Sequence, residues 1–129
     1  MKYIIDTDPG IDDAIAILLG YLNKLDIVGF TLATGNIEFE KSLNNIKIIE
    51  DLLDSNIKIY EGSLHNKGNV TAKYAHGIDG LGYAVFPKSN RKTEKMYAED
   101  FMIKASKKYK DDLTIICLGP LTNLASALK

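Results

Sequence analysis

Short apolar, β-prone runs alternate along this chain with longer segments of helical periodicity, and that alternation constrains the fold more than any other feature. Tyr3-Ile4-Ile5 stops at Asp6, and the run predicts a buried strand over Lys2–Asp6. Ile11, Ala14, Ile15, Leu18 and Leu22 then recur at helical spacing over Ile11–Leu22, with Asp12 and Asp13 in the first turn where the helix dipole favours anions. Leu25–Ala33 is a second strand-like run. Phe39, Leu43, Ile46, Ile49 and Leu53 form one face of a helix over Phe39–Leu53, and Ile57–Tyr60 is a third short strand. Glu94–Tyr109 reads as a helix, Leu113–Leu118 as a strand, and Pro120–Leu128 as a helix with Pro in its first turn. Between these, Gly62–Ser89 is a long loop punctuated by Gly62, Gly68, Gly77, Gly80 and Gly82; loops of that length are functional or mobile. The order β-α-β-α-β-loop-α-β-α implies an open, mostly parallel α/β sheet with helices on both faces.

The chain has 129 residues with no repeat or linker, so residues 1–129 are expected to form a single domain. With 16 Lys+Arg against 17 Asp+Glu the net charge is −1, which excludes a broad electrostatic footprint for nucleic acid. No apolar run approaches the roughly 18–20 residues of a membrane span. No secretory signal opens the chain, so a cytoplasmic location is the expectation. Cys117 is the single cysteine, which excludes an internal disulfide and a Cys-based zinc site; in an apolar strand it is expected to be a buried, inert thiol. His65 has no motif around it and reads as surface loop. The lysines of Lys88–Lys95 and Lys104–Lys110 have acids beside them and read as solvated faces.

Chemistry concentrates in Asp6-Thr7-Asp8-Pro9-Gly10-Ile11-Asp12-Asp13, where four carboxylates lie within eight residues at the carboxyl end of the first strand. In open α/β sheets ligands bind outside those strand ends. Carboxylates packed this closely raise each other's pKa values, and a hard cation relieves the conflict. Pro9 and Gly10 fold the chain so that Asp8 and the Asp12-Asp13 pair can face one point. The spacing is not that of an EF-hand loop.

The run Asp6-Thr7-Asp8-Pro9-Gly10-Ile11-Asp12-Asp13-Ala14 resembles the N-terminal signature of the nucleoside hydrolases, the inosine-uridine preferring ribohydrolase family. Ala33-Thr34-Gly35-Asn36, the loop His76-Gly77-Ile78-Asp79-Gly80-Leu81-Gly82, and Leu118-Gly119-Pro120-Leu121-Thr122-Asn123-Leu124-Ala125 match further family segments in order. The resemblance implies a Rossmann-like fold, a Ca²⁺ ion at the base of a deep pocket, and cleavage of the N-glycosidic bond of ribonucleosides by a calcium-bound water. It assigns Asp8 as metal ligand and general base, Asp13 as metal ligand, Asp6 as an acid close to the metal, and the Leu118 backbone carbonyl as a further ligand. Asp12 would hold the ribose hydroxyls, Asn36 would stand near the ribose and the water, and His76 would line the nucleobase side. Homo-oligomers are common in the family.

The resemblance covers only the N-terminal part of the family's length. The absent part supplies another aspartate ligand, ribose contacts and a histidine that protonates the leaving base, so weak or absent activity is expected unless a C-terminal chain complements this one. The last helical pattern runs into Lys129 after about two and a half turns with no C-cap signal, as in an interrupted α/β chain. Two other classes stay open at this point. One is a calcium- or ribose-binding remnant without turnover. The other is a haloacid-dehalogenase-like phosphatase, in which Asp6 would be the nucleophile and Asp8 the acid–base; that pattern wants Thr or Val where Gly10 stands and leaves Asp12 and Asp13 without a role.

Overall fold

The computed structural model describes residues 1–63 and 72–129. Four parallel strands form one sheet: β1 (Lys2–Thr7), β2 (Asp26–Leu32), β3 (Ile59–Glu61) and β4 (Leu113–Cys117), in the order β3-β2-β1-β4. The helices are α1 (Ile11–Leu22), α2 (Phe39–Leu53), a single turn α3 (Lys73–His76), α4 (Ala98–Tyr109) and α5 (Thr122–Ala127).

Adjacent isoleucines of β1 show how the sheet is covered. Side chains alternate across a strand. Ile5 packs with Ile17 of α1 and with Ile46 and Ile49 of α2, around Phe30 and Leu32 of β2. Ile4 faces the other way, onto Met102 and Ala105 of α4. Ile4, Ile17, Phe30, Leu32 and Ile46 are all fully buried, each contributing about 1.5–3 kcal/mol by removal from water. The helices therefore lie on both faces, as the alternating pattern requires.

The strand ends lie within one or two residues of the sequence reading, β3 for example at Ile59–Glu61 rather than Ile57–Tyr60, and three differences are larger. The helix expected from Glu94 begins at Ala98, because the Glu94 N–H donates to the Ile59 carbonyl at 2.8 Å and Thr93 Oγ1 bonds Glu61 at 2.6 Å. These bonds hold residues 93–94 against β3 rather than in a helix. The segment expected to be all loop contains α3, while its part at 64–71, including Gly68 and His65, lies outside the described residues. Pro120 and Leu121 form a turn ahead of α5. Cys117 is half-buried rather than buried, because among the described residues β4 pairs only with β1 and its five residues are all partly exposed. Burial and the Asp6 charge still push its thiol pKa up.

Candidate active site

Chain order and sheet order together locate the site. From β1 the chain moves outward to β2 and β3, then returns to the other side of β1 as β4. In open α/β sheets ligands bind outside the carboxyl ends of the strands at such a reversal, and here the loops leaving β1 and β4 meet, the Leu118 N–H donating to the Asp6 carbonyl at 2.8 Å. The acidic turn leaves β1 there, and Leu118-Gly119-Pro120 leaves β4.

Asp8 sits at the centre and is 4% exposed. Its Oδ2 accepts the Asn36 backbone N–H at 2.7 Å. Two glycines leave room for the carboxylate. A Cβ on Gly119 would lie 2.5 Å from Asp8 Oδ1, and one on Gly35 would overlap Oδ2. Burial, followed by the nearby Asp13 charge, raises the Asp8 pKa to about 7, against the Asn36 hydrogen bond that lowers it.

Asp13 is held from three sides. Its Oδ1 accepts from Thr7 Oγ1 at 2.7 Å, and its Oδ2 accepts from the Gly10 N–H and Asn36 Nδ2, both at 3.2 Å. Asn36 Nδ2 also donates to the Asp8 carbonyl at 3.0 Å. Asn36 thus ties Asp8 to Asp13, a role that its segment did not reveal in the sequence.

Asp6 is fully buried. Its Oδ1 accepts from Thr31 Oγ1 at 2.7 Å and Asn123 Nδ2 at 2.8 Å, while Oδ2 is buried with no hydrogen-bond partner among the described residues. Burial raises its pKa over the opposing effect of those two bonds. A sealed carboxyl cannot attack a phosphate ester, which removes the phosphatase reading.

Asp12 is exposed, with His76 Nδ1 at 3.6 Å from its Oδ1. The His76 side chain is 14% exposed, so it is not a solvated loop residue. Its Nδ1 accepts the Ile11 N–H at 3.2 Å, and its ring occupies the space a Cβ on Gly10 would need, at 2.6 Å. Leu118 is partly exposed, and its N–H donates to the Asp6 carbonyl at 2.8 Å.

Asn45 and Asn123 did not stand out in the sequence. Asn123 falls in the family-like segment Leu118–Ala125 with no role assigned there; its Nδ2 donates to Asp6 Oδ1 and to the Leu32 carbonyl, 3.1 Å away. Asn45 lies among the apolar residues of α2, and a buried amide there was its only signal.

Asp8 and Asp13 offer oxygen donors whose mutual repulsion a cation would offset, which is the chemistry of a hard divalent ion. Among the described residues no three His, Cys, Asp or Glu side chains converge as a complete metal cage. The donor set therefore fits such an ion in kind, and further ligands would have to be carbonyls, water or groups from another chain.

A parallel α/β sheet carrying paired carboxylates at its switch point defines a class of ligand-binding and hydrolytic folds. Within that class, the family model for inosine-uridine preferring nucleoside hydrolase matches residues 3–129, and the chain belongs to this family. It is 38% identical to uridine nucleosidase 1 of Arabidopsis thaliana, over 99% of this chain and 40% of that protein. It is 33% identical to the pyrimidine-specific ribonucleoside hydrolase RihB of Escherichia coli, over 99% of this chain and 42% of that protein. Among solved structures it superposes on the purine-preferring ribonucleoside hydrolase from Gardnerella vaginalis with a TM-score of 0.87 at 37% identity, covering 99% of this chain and 43% of that one. On the plant nucleoside hydrolase PpNRh1 the TM-score is 0.89 at 37% identity, covering 98% and 42%. The chain thus spans about 40% of the length of the curated relatives it matches. No helix among the described residues is long and apolar enough to cross a membrane.

Proposed function

We propose that this chain carries part of the metal and ribose site of a nucleoside N-glycosidase, which cleaves ribonucleosides to free base and ribose. The observation that supports this most is Asp8, held in a glycine-lined cradle beside Asp13 at the sheet's switch point. Asp8, Asp13 and the Leu118 carbonyl would hold a Ca²⁺ ion, with the buried Asp6 carboxyl behind them. The bound ion would supply positive charge that offsets the paired carboxylates and orients hydroxyl oxygens.

The chain's own residues would do the rest. Asp8 Oδ2 is engaged by the Asn36 N–H, which leaves Oδ1 to take the proton of the attacking water. In the metal-free chain burial and the Asp13 charge raise the Asp8 pKa to about 7; a cation held beside it would lower that value and keep the carboxylate ionised at neutral pH, able to accept a proton. As the water oxygen bonds to the anomeric carbon, the C–N bond breaks and its electron pair leaves with the base. Positive charge grows on the sugar, and the acidic turn stabilises it. Asp12 would hold the ribose hydroxyls, and Asn36 would fix the carboxylates. His76 has Nδ1 engaged by Ile11, so Nε2 is the atom it would present toward the base. The proton for the departing base would come from the part of the family's length that this chain does not span.

The chain spans about 40% of its relatives' length, and without the group that would protonate the leaving base a second reading is favoured, in which the chain alone binds calcium and ribose without turnover. One experiment separates the two. The chain is incubated with inosine or uridine and CaCl₂, alone and with a polypeptide supplying the remaining family length, and free ribose is measured. Ribose release that Asp8→Asn abolishes supports the hydrolase. Calcium binding without release in either mixture supports the binding module.

A further inference from the structure

One buried amide joins the acidic turn to the loop that carries His76. Asn45 is 3% exposed on α2. Its Nδ2 donates to the Pro9 carbonyl at 3.2 Å and to the Asp79 carbonyl at 2.8 Å. Pro9 belongs to the acidic turn and Asp79 to the loop that carries His76. Asn is the shortest side chain with two donor hydrogens on one nitrogen, and both acceptors here are backbone carbonyls. The base of this clamp is rigid, because the neighbouring Ile46, Ile48 and Ile49 are buried.

The loop is shaped to meet it. Gly80 has φ +83°, and a Cβ there would lie 2.8 Å from Asn45 Nδ2 and 2.5 Å from Ile37 Cδ1. Lys41, one turn earlier on α2, donates to the Ile78 carbonyl at 2.8 Å from an exposed position. At its other end the loop meets the turn through His76 and the Ile11 N–H. The acidic turn is therefore gripped at Pro9 and at Ile11, on either side of Gly10.

We propose that Asn45 is a positioning residue that locks the His76–Gly82 loop to the acidic turn, so that cation binding at the turn also orders the loop. The second half of this statement rests on the calcium reading above; the first rests on the geometry alone. The conservative variant Asn45→Asp keeps the shape and removes both donors.

Hydrogen exchange on the whole chain tests it, read at two loop amides. Gly80 N–H donates to the Gly77 carbonyl at 3.1 Å, and Gly82 N–H donates to the His76 carbonyl at 2.9 Å. In Asn45→Asp these amides should exchange roughly tenfold faster, the scale of a lost buried hydrogen bond, while the β2 amides keep their wild-type rates. CaCl₂ should slow them in the wild type and not in the variant. Gly80→Ala opens the same contact from the loop side and should show the same signature if Asn45→Asp fails to fold. Loop exchange at wild-type rates in both variants overturns the clamp. Equal slowing by calcium in wild type and variant overturns the coupling. If calcium slows nothing in the wild type but the variants still loosen the loop, the clamp stands and the calcium reading falls.

Discussion

Replacing Asp8 by Asn should change how stability depends on pH, and the structure gives the sign and the size. The folded-state pKa of Asp8 is raised from 3.8 to about 7, by burial first and by the Asp13 charge second. Between those two values the folded chain holds a proton that the unfolded chain has released. Stability from this group is therefore greatest at low pH, is lost as pH rises from about 4 to about 7, and is level above that. A shift of about three units at ~1.36 kcal/mol each sets a ceiling of about 4 kcal/mol. Relaxation of the surroundings around a charged Asp8 brings the cost below that ceiling, and halving the figure gives about 2 kcal/mol. The amide introduced by Asp8→Asn keeps an oxygen for the Asn36 N–H and carries no charge, so the variant lacks this pH dependence. Urea unfolding of both proteins in EDTA at pH 4 and pH 8 provides the assay. The wild type should lose about 2 kcal/mol relative to Asp8→Asn across that interval. Calcium at a hundred times its Kd should then stabilise the wild type at pH 8 by about 2.7 kcal/mol and the variant by much less. A wild-type minus variant difference that is constant with pH, or that grows as pH rises, refutes the assignment of a buried, repelled carboxylate.

The same site yields three shorter predictions. Gly119→Ala places a methyl 2.5 Å from Asp8 Oδ1; it should cost about 1–3 kcal/mol of stability in a thermal melt and lower calcium affinity by calorimetry at least tenfold. Calcium should displace the Asp8 proton, releasing about half a proton per ion at pH 7 and close to none at pH 9, as seen by titration in buffers of different ionisation enthalpy. Asn123→Leu strips Asp6 Oδ1 and the Leu32 carbonyl of a donor, and should destabilise the fold by about 2–3 kcal/mol in urea.

How much of this was readable beforehand differs from residue to residue. The strands and main helices follow from periodicity, because a segment that buries one face must repeat its apolar residues at the period of its own geometry. Asp8 and Asp13 were legible because four acids in eight residues conflict electrostatically unless something resolves them. The late start of α4 was not, because a hydrogen bond from Glu94 to Ile59 joins residues 35 positions apart. The half-exposed Cys117 was not, because an apolar strand has the same local pattern at a sheet's edge as at its centre.

What the sequence determined alone is the alternation of elements and the place where acidic oxygens gather, both local properties of the chain. What only the tertiary structure decided is how each acid is held. Asp6 and Asp8 are two residues apart and chemically identical, yet one is sealed under Thr31 and Asn123 while the other sits between Gly35 and Gly119. Asn45 acquires its place only when Pro9 and Asp79 are brought to it from 36 and 34 residues away. The division has a physical cause. Propensity and charge density act over a few residues, whereas burial and hydrogen-bond partners depend on segments that meet only after the sheet has formed.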